Sequence, residues 1–156
     1  MTIRICFLPP DARHRLAPLL ALYAAEMRGV LPGAAVATPE AQAALLATHP
    51  AAEVLLAEDA AATPLGFAIL FDLPEVVFAR RCGVLDDLFV HPDARGRGLA
   101  RALVQAAVAE GRRRGWSHLR WIVPEGDAAA IALYQRIATR ADWRSYVIRL
   151  DEAASL

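Results

Sequence analysis

Residues 88–103, Leu-Phe-Val-His-Pro-Asp-Ala-Arg-Gly-Arg-Gly-Leu-Ala-Arg-Ala-Leu, constrain this chain more than any other stretch. An apolar strand ends at Pro92, a short loop holds Gly96 and Gly98, and an amphipathic helix follows at once. Leu99, Leu103 and Ala107 fall on one helical stripe with Val104 and Val108 beside it, while Arg101, Gln105 and Arg112 can face outward. A strand that feeds directly into such a helix belongs in a sheet with helices on its faces.

The same loop has a chemical reading. A helix that begins just after glycines presents unpaired backbone N–H groups and the positive end of its dipole. Gly96 and Gly98 let a bulky anion approach the backbone, and Arg95, Arg97 and Arg101 can add charge-assisted hydrogen bonds. A pyrophosphate suits this arrangement. A P-loop would need Gly-Lys-Ser/Thr, and all seventeen basic residues are Arg. A dinucleotide fingerprint would need glycine where Arg101 stands. Arg-Gly nucleic-acid segments are repeated and disordered, whereas this one opens an ordered helix.

Around this unit the pattern predicts strands over 3–8, 54–58, 65–73, 83–90, 119–123 and 143–150, and a weaker extended segment over 76–79. Helices are expected from about Ala12, capped by Asp11, to Glu26; from Pro39, behind a Thr38 cap, to Thr48; over 98–114; and over 127–137. Gly29–Ala37 reads as a loop. No linker, repeat or low-complexity tract interrupts the order. The expectation is one mixed α/β (α+β) domain spanning 1–156.

Composition narrows the function classes. Hydrophobic residues make up 56% of the chain and charged residues 22%, enough for a sizeable core. Seventeen basic residues balance seventeen acidic ones, so no net field favours nucleic acid. Without lysine there is no Schiff-base chemistry. Cys6 and Cys82 are expected as buried free thiols in a reducing cytoplasm. No signal peptide or apolar span of ~18 residues is visible, so no membrane partner is expected. His14, His49, His91 and His118 are scattered, and the spacing implies no metal.

Arg95, Gly98 and Ala100, behind Val90 and Pro92, resemble the cofactor motif of the GNAT acyltransferases, Arg/Gln-x-x-Gly-x-Gly/Ala after a hydrophobic-x-Val-x-Pro strand. Leu85–Val90 further resembles the diamine and polyamine acetyltransferase branch. The resemblance is specific over Leu85–Leu103 and extends to about Leu150. It implies a GNAT-like fold, a mostly antiparallel twisted sheet of about six or seven strands with about four helices. It implies acetyl-CoA as cosubstrate, its pantetheine arm along Leu88, Phe89 and Val90 and its phosphates on Arg95, Gly96, Arg97, Gly98, Leu99, Ala100 and Arg101. Dimerisation, with 143–150 contributing, is implied as well.

Asp127–Ala138 resembles the family's Asn-x-x-Ala-x-x-x-Tyr helix, with Ala130 and Tyr134 at the Ala and Tyr positions. The usual Asn is Asp127, beside the cofactor, and the usual ending after the Tyr is replaced by Ile137-Ala138-Thr139-Arg140. A phenol of pKa ~10 can protonate a departing thiolate of pKa ~8.5 without ionising at neutral pH. An arriving ammonium must lose a proton, and Asp86 or Asp87 can take it, the branch resembled placing its base at Asp86. Backbone N–H groups near Phe89 can stabilise an oxyanion. Glu26, Asp72 and Glu75 lie where this family walls its acceptor. The activity implied is acetyl transfer to a primary amine, with a small molecule favoured as acceptor; a noncatalytic acyl-CoA-binding domain is the competing reading.

Overall fold

A computed structural model describes residues 2–30 and 36–148. Its strands are β1 (Arg4–Leu8), β2 (Glu53–Glu58), β3 (Pro64–Glu75), β4 (Arg80–Val90) and β5 (Leu119–Arg120), and its helices α1 (Ala17–Val30), α2 (Pro39–Thr48), α3 (Leu99–Arg114) and α4 (Ala128–Ile137). The strands form one sheet in sequence order. Its first four strands run antiparallel, and β5 runs parallel to β4.

Both faces of the sheet are covered, so the central strands read as continuous apolar runs. Leu55, Ala57, Ala68, Leu70 and Leu85 pack against Leu99, Leu103, Val104 and Ala107 of α3. Val54, Leu56, Phe67, Ile69 and Phe89 pack against Leu16, Leu19, Leu20 and Ala43 on the α1–α2 side. Each face buries its own apolar set, and burial at about 25 cal/mol per Å² is the main stabilising term.

One irregularity decides where the chemistry sits. The β3–β4 register pairs Ile69 with Asp87 and Leu70 with Leu85, leaving Asp86 as the extra residue of a β-bulge. Side chains alternate along a strand, so an inserted residue exchanges the faces beyond it. Leu85 therefore sits in the α3 core and Phe89 in the α1–α2 core, although strict alternation would place them together. Asp87 is carried to the α1 side with Phe89.

β4 and β5 meet only over a short ladder, beside which Trp116 packs. Trp116 fills the space between Gly83 of β4 and Gly111 of α3, where an added Cβ would fall 2.2 and 2.5 Å from its ring. The two parallel strands pair only at Gly83–Leu119 and Val84–Arg120.

Several expectations are corrected. The sheet has five strands among the described residues, fewer than six or seven. Val76–Phe78 is a 3-10 turn closing the β3–β4 hairpin, not a strand, because both flanking strands run further than expected. Trp143–Ile148 joins no ladder, and β5, only two residues long, offers it little edge; Arg149 and Leu150 of that predicted strand lie outside the described residues. Asp11 caps nothing: Pro9 precedes a 3-10 helix over Pro10–Leu16, and α1 starts only at Ala17. Part of the predicted loop, 31–35, is likewise outside the described residues. Cys6 and Cys82 are both free, Cys82 buried and Cys6 only partly so.

Candidate active site

The glycine loop closes the C-terminal end of β4. Gly96 and Gly98 adopt φ of +73° and +80°, and a Cβ at either would meet no atom within 4 Å. They are glycines for their backbone conformation and leave open space beside the main chain. Gly98 is the N-cap of α3 and supplies no capping side chain. The first intrahelical bond runs from Ala102 N–H to Gly98 O at 2.9 Å, so the N–H groups of Leu99, Ala100 and Arg101 point off the helix end. The cradle and the uncapped helix fit a pyrophosphate.

The predicted phosphate ligands divide. Arg101 is exposed at the first turn of α3, and Arg97 is exposed in the loop. Arg95, also exposed, is tethered: its Nε donates to Val90 O at 3.0 Å, its Nη2 pairs with Glu26 of α1 at 2.5 Å, and its guanidinium lies over the Phe89 ring. It ties the loop to α1. From Leu85 to Val90, β4 has no ladder to β5, which leaves main-chain edge beside half-buried Leu88. An amide-bearing arm such as pantetheine can bond to such an edge.

On the other side of β4, Asp86 and Asp87 line a cavity of about 300 Å³. Asp86 is exposed at the bulge and has no hydrogen-bond or ion-pair partner among the described residues. Asp87 accepts the Tyr23 hydroxyl hydrogen bond at 2.5 Å. Burial pushes the Asp87 carboxyl up and Asp86 adds to this, while the Tyr23 hydrogen bond opposes it. Tyr23 is itself pushed far up by burial, then by Asp87, and Tyr134 is close enough to contribute.

Tyr134 comes from α4. Its ring packs edge-on against Trp121, centroids 5.2 Å apart. Burial, then the charge of Asp127, raises its pKa to about 12. It therefore holds its proton throughout the neutral range. Asp127, expected at the cofactor, is the N-cap of α4 and accepts from Ala130 N–H at 3.0 Å. This accounts for Asp where the resembled motif has Asn, since both are strong caps.

The acids expected to wall the acceptor are engaged elsewhere. Glu26 holds Arg95, Asp72 pairs with Arg81 at 2.8 Å, and Glu75 accepts from Ser117 at 3.0 Å. None of them lines the cavity. His91 accepts from Asp93 N–H within its own loop. The fold also gathers Glu75, Cys82 and His118, with donor atoms within 4.8 Å of one another, although they are scattered in sequence. Sequence reasoning missed Tyr23, Gln42, His49 and Phe71 as lining residues. Tyr23 was visible only as one member of an apolar stripe, and no local signal marks the other three.

Comparison with known proteins bears on the family and the fold. Residues 16–138 match the model of the Acetyltransferase (GNAT) family. The fold superposes on a ribosomal-protein-alanine N-acetyltransferase from Brucella melitensis biovar Abortus 2308 with a TM-score of 0.85 and 36% identity, covering 96% of this chain and all of that one. A mycothiol acetyltransferase from Salinispora tropica is 39% identical over 98 residues, 62% of this chain. The chain spans only 31% of that curated relative. An aminoglycoside acetyltransferase from an uncultured soil metagenomic sample shares the fold, with a TM-score of 0.74 at 23% identity over 96% of this chain and 99% of that one.

Proposed function

The chain belongs to the acetyltransferase (GNAT) family, and from that premise we propose that it transfers an acetyl group from acetyl-CoA to a primary amine. The observation that carries this reading is the pair of unlike sites on one strand. A glycine cradle at a helix start closes the end of β4, and Asp86 stands in the bulge of the same strand facing a cavity.

Acetyl-CoA, when bound, supplies a thioester whose C–S bond breaks as the amine nitrogen forms its bond to the acetyl carbon. Gly96, Gly98 and the first turn of α3 would hold its pyrophosphate, with Arg101 adding charge. Asp86 takes a proton from the ammonium, directly or through water, so that the nitrogen lone pair can attack. Main-chain N–H groups on the open edge of β4, around Leu88 and Phe89, stabilise negative charge on the acyl oxygen. Tyr134 gives its proton to the departing sulfur and recovers one from solvent. Its raised pKa keeps it protonated at neutral pH; the transfer to a thiolate of pKa ~8.5 is uphill and is completed when the phenolate recovers its proton from solvent.

Calorimetry with acetyl-CoA, followed by CoA-thiol release with a panel of amines, tests the reading. Binding with release supports it. Binding without release by any amine would leave a noncatalytic acyl-CoA-binding domain, and absence of binding would remove the cosubstrate altogether.

A further inference from the structure

Building on that reading, we infer that the acceptor is a single primary ammonium carried on a compact apolar body, and not a polyamine or an aminoglycoside. The inference rests on how charge is distributed in the cavity. Asp86 and Asp87 stand side by side on β4, and among the described residues no other acidic side chain lines it. Much of the rest of the wall is hydrocarbon, with Leu20, Leu45, Leu46 and Ile69 among the lining residues and Phe71 supporting His49 edge-on at 5.7 Å.

Burying a second ammonium against leucines without a partner is strongly unfavourable. A polyamine or aminoglycoside needs several anionic or polar stations along its length. The acids that could have formed them are already paired: Glu26 with Arg95, Asp72 with Arg81, and Glu53 with Arg114. One charged end and a hydrocarbon wall select a ligand with the same asymmetry. At about 300 Å³ the cavity is at the small end of ligand pockets, which run from roughly 300 to 1,000 Å³, so the body is of the size of a leucine or phenylalanine side chain. The remaining polar groups fit this. Gln42 lines the cavity as an uncharged amide, the Tyr23 hydroxyl is committed to Asp87, and His49 is packed on Phe71, so none of them adds an anionic station.

Two sources can present this chemistry: a free arylalkyl- or branched alkylamine, or the N-terminal amine of a polypeptide that begins with an apolar residue. CoA-thiol release is measured with isoamylamine, phenethylamine, spermidine, kanamycin and a tripeptide beginning with leucine. The expected result is kcat/KM for a monoamine or the tripeptide at least tenfold above that for spermidine and kanamycin, and whichever of the two is faster identifies the source. Faster turnover of spermidine or kanamycin overturns the inference while leaving acetyl transfer to amines intact. Release with none of them, despite acetyl-CoA binding, overturns both.

A variant sharpens the test. Leu45 lines the cavity yet is 66% exposed, so Leu45→Glu is expected to fold. It adds a second anionic station and should raise the spermidine-to-isoamylamine ratio of kcat/KM about tenfold. An unchanged ratio in a variant of unchanged Tm would show that this wall does not contact the acceptor, and the inference fails.

Discussion

The two sides of β4 are built on different principles. Its C-terminal end and the start of α3 form a continuous stretch in which backbone would do the proposed binding: two glycines of positive φ and a helix end with no capping side chain. The α1–α2 side is assembled from residues far apart in sequence, and side chains do the work. Tyr23 reaches Asp87 across 64 positions. A backbone site tolerates changes of neighbouring side chains and fails when its conformation is lost. A side-chain site tolerates backbone drift poorly and fails one contact at a time.

The sharpest way to break the comparison is therefore Gly98→Glu. It puts a side chain on a φ of +80°, which costs about 1–2 kcal/mol, and a negative charge where the cosubstrate's anion is to sit. Acetyl-CoA affinity should fall more than a hundredfold by calorimetry, with a modest loss of Tm. If affinity survives, the loop is only a turn between β4 and α3.

On the acceptor side, Asp86→Asn should leave acetyl-CoA affinity unchanged and lower kcat/KM for the amine by about 10²–10³ at neutral pH, in the range for loss of a positioned base. The deficit should shrink as pH rises, because more of the amine then arrives already deprotonated. A deficit that is flat with pH would give Asp86 a binding role and return the base to Asp87 or water. Tyr134→Phe should lower kcat about a hundredfold with little effect on either affinity. Full turnover in that variant would remove the proposed acid.

The same contrast explains what could be read from sequence. The strand–loop–helix unit was legible because its determinants are local: a strand end, Pro92, two glycines and an apolar helical stripe are all neighbours in the chain. The layered mixed fold followed from the order of elements. The bulge was not legible, because 83–90 carries no alternation to interrupt: Asp86 and Asp87 are adjacent between apolar residues, and the extra residue shows only when β3 is laid beside them in the observed register. Without the bulge, Asp87 shares a face with Leu85 and cannot meet Tyr23. Arg95 and Asp127 show the converse limit: each sits at its motif position, but the structure gives the first to Val90 and Glu26 and the second to a helix cap. Motif spacing places a residue without fixing which of two nearby partners it holds.

The smallest expected effect concerns the Tyr23–Asp87 contact, and it separates positioning from chemistry. Asp87 has a folded-state pKa raised above its unfolded value, chiefly by burial. Between those two values the folded state binds the extra proton, so stability from this group falls as pH rises, and above the folded pKa the whole penalty is felt. Tyr23 limits that penalty by donating to the charged carboxylate. Tyr23→Phe should therefore cost about 1–3 kcal/mol at neutral pH, a fall in Tm of roughly 2–10 °C for a chain of this size. The deficit should narrow as pH drops through the folded pKa, where a protonated Asp87 no longer needs the donor. Asp87→Asn should flatten that pH dependence in both backgrounds. A Tyr23→Phe deficit that persists unchanged at acid pH would assign the loss to packing of Tyr23 on Phe67 and Phe89 instead, since those ring contacts, at 5.8 and 5.5 Å, do not titrate.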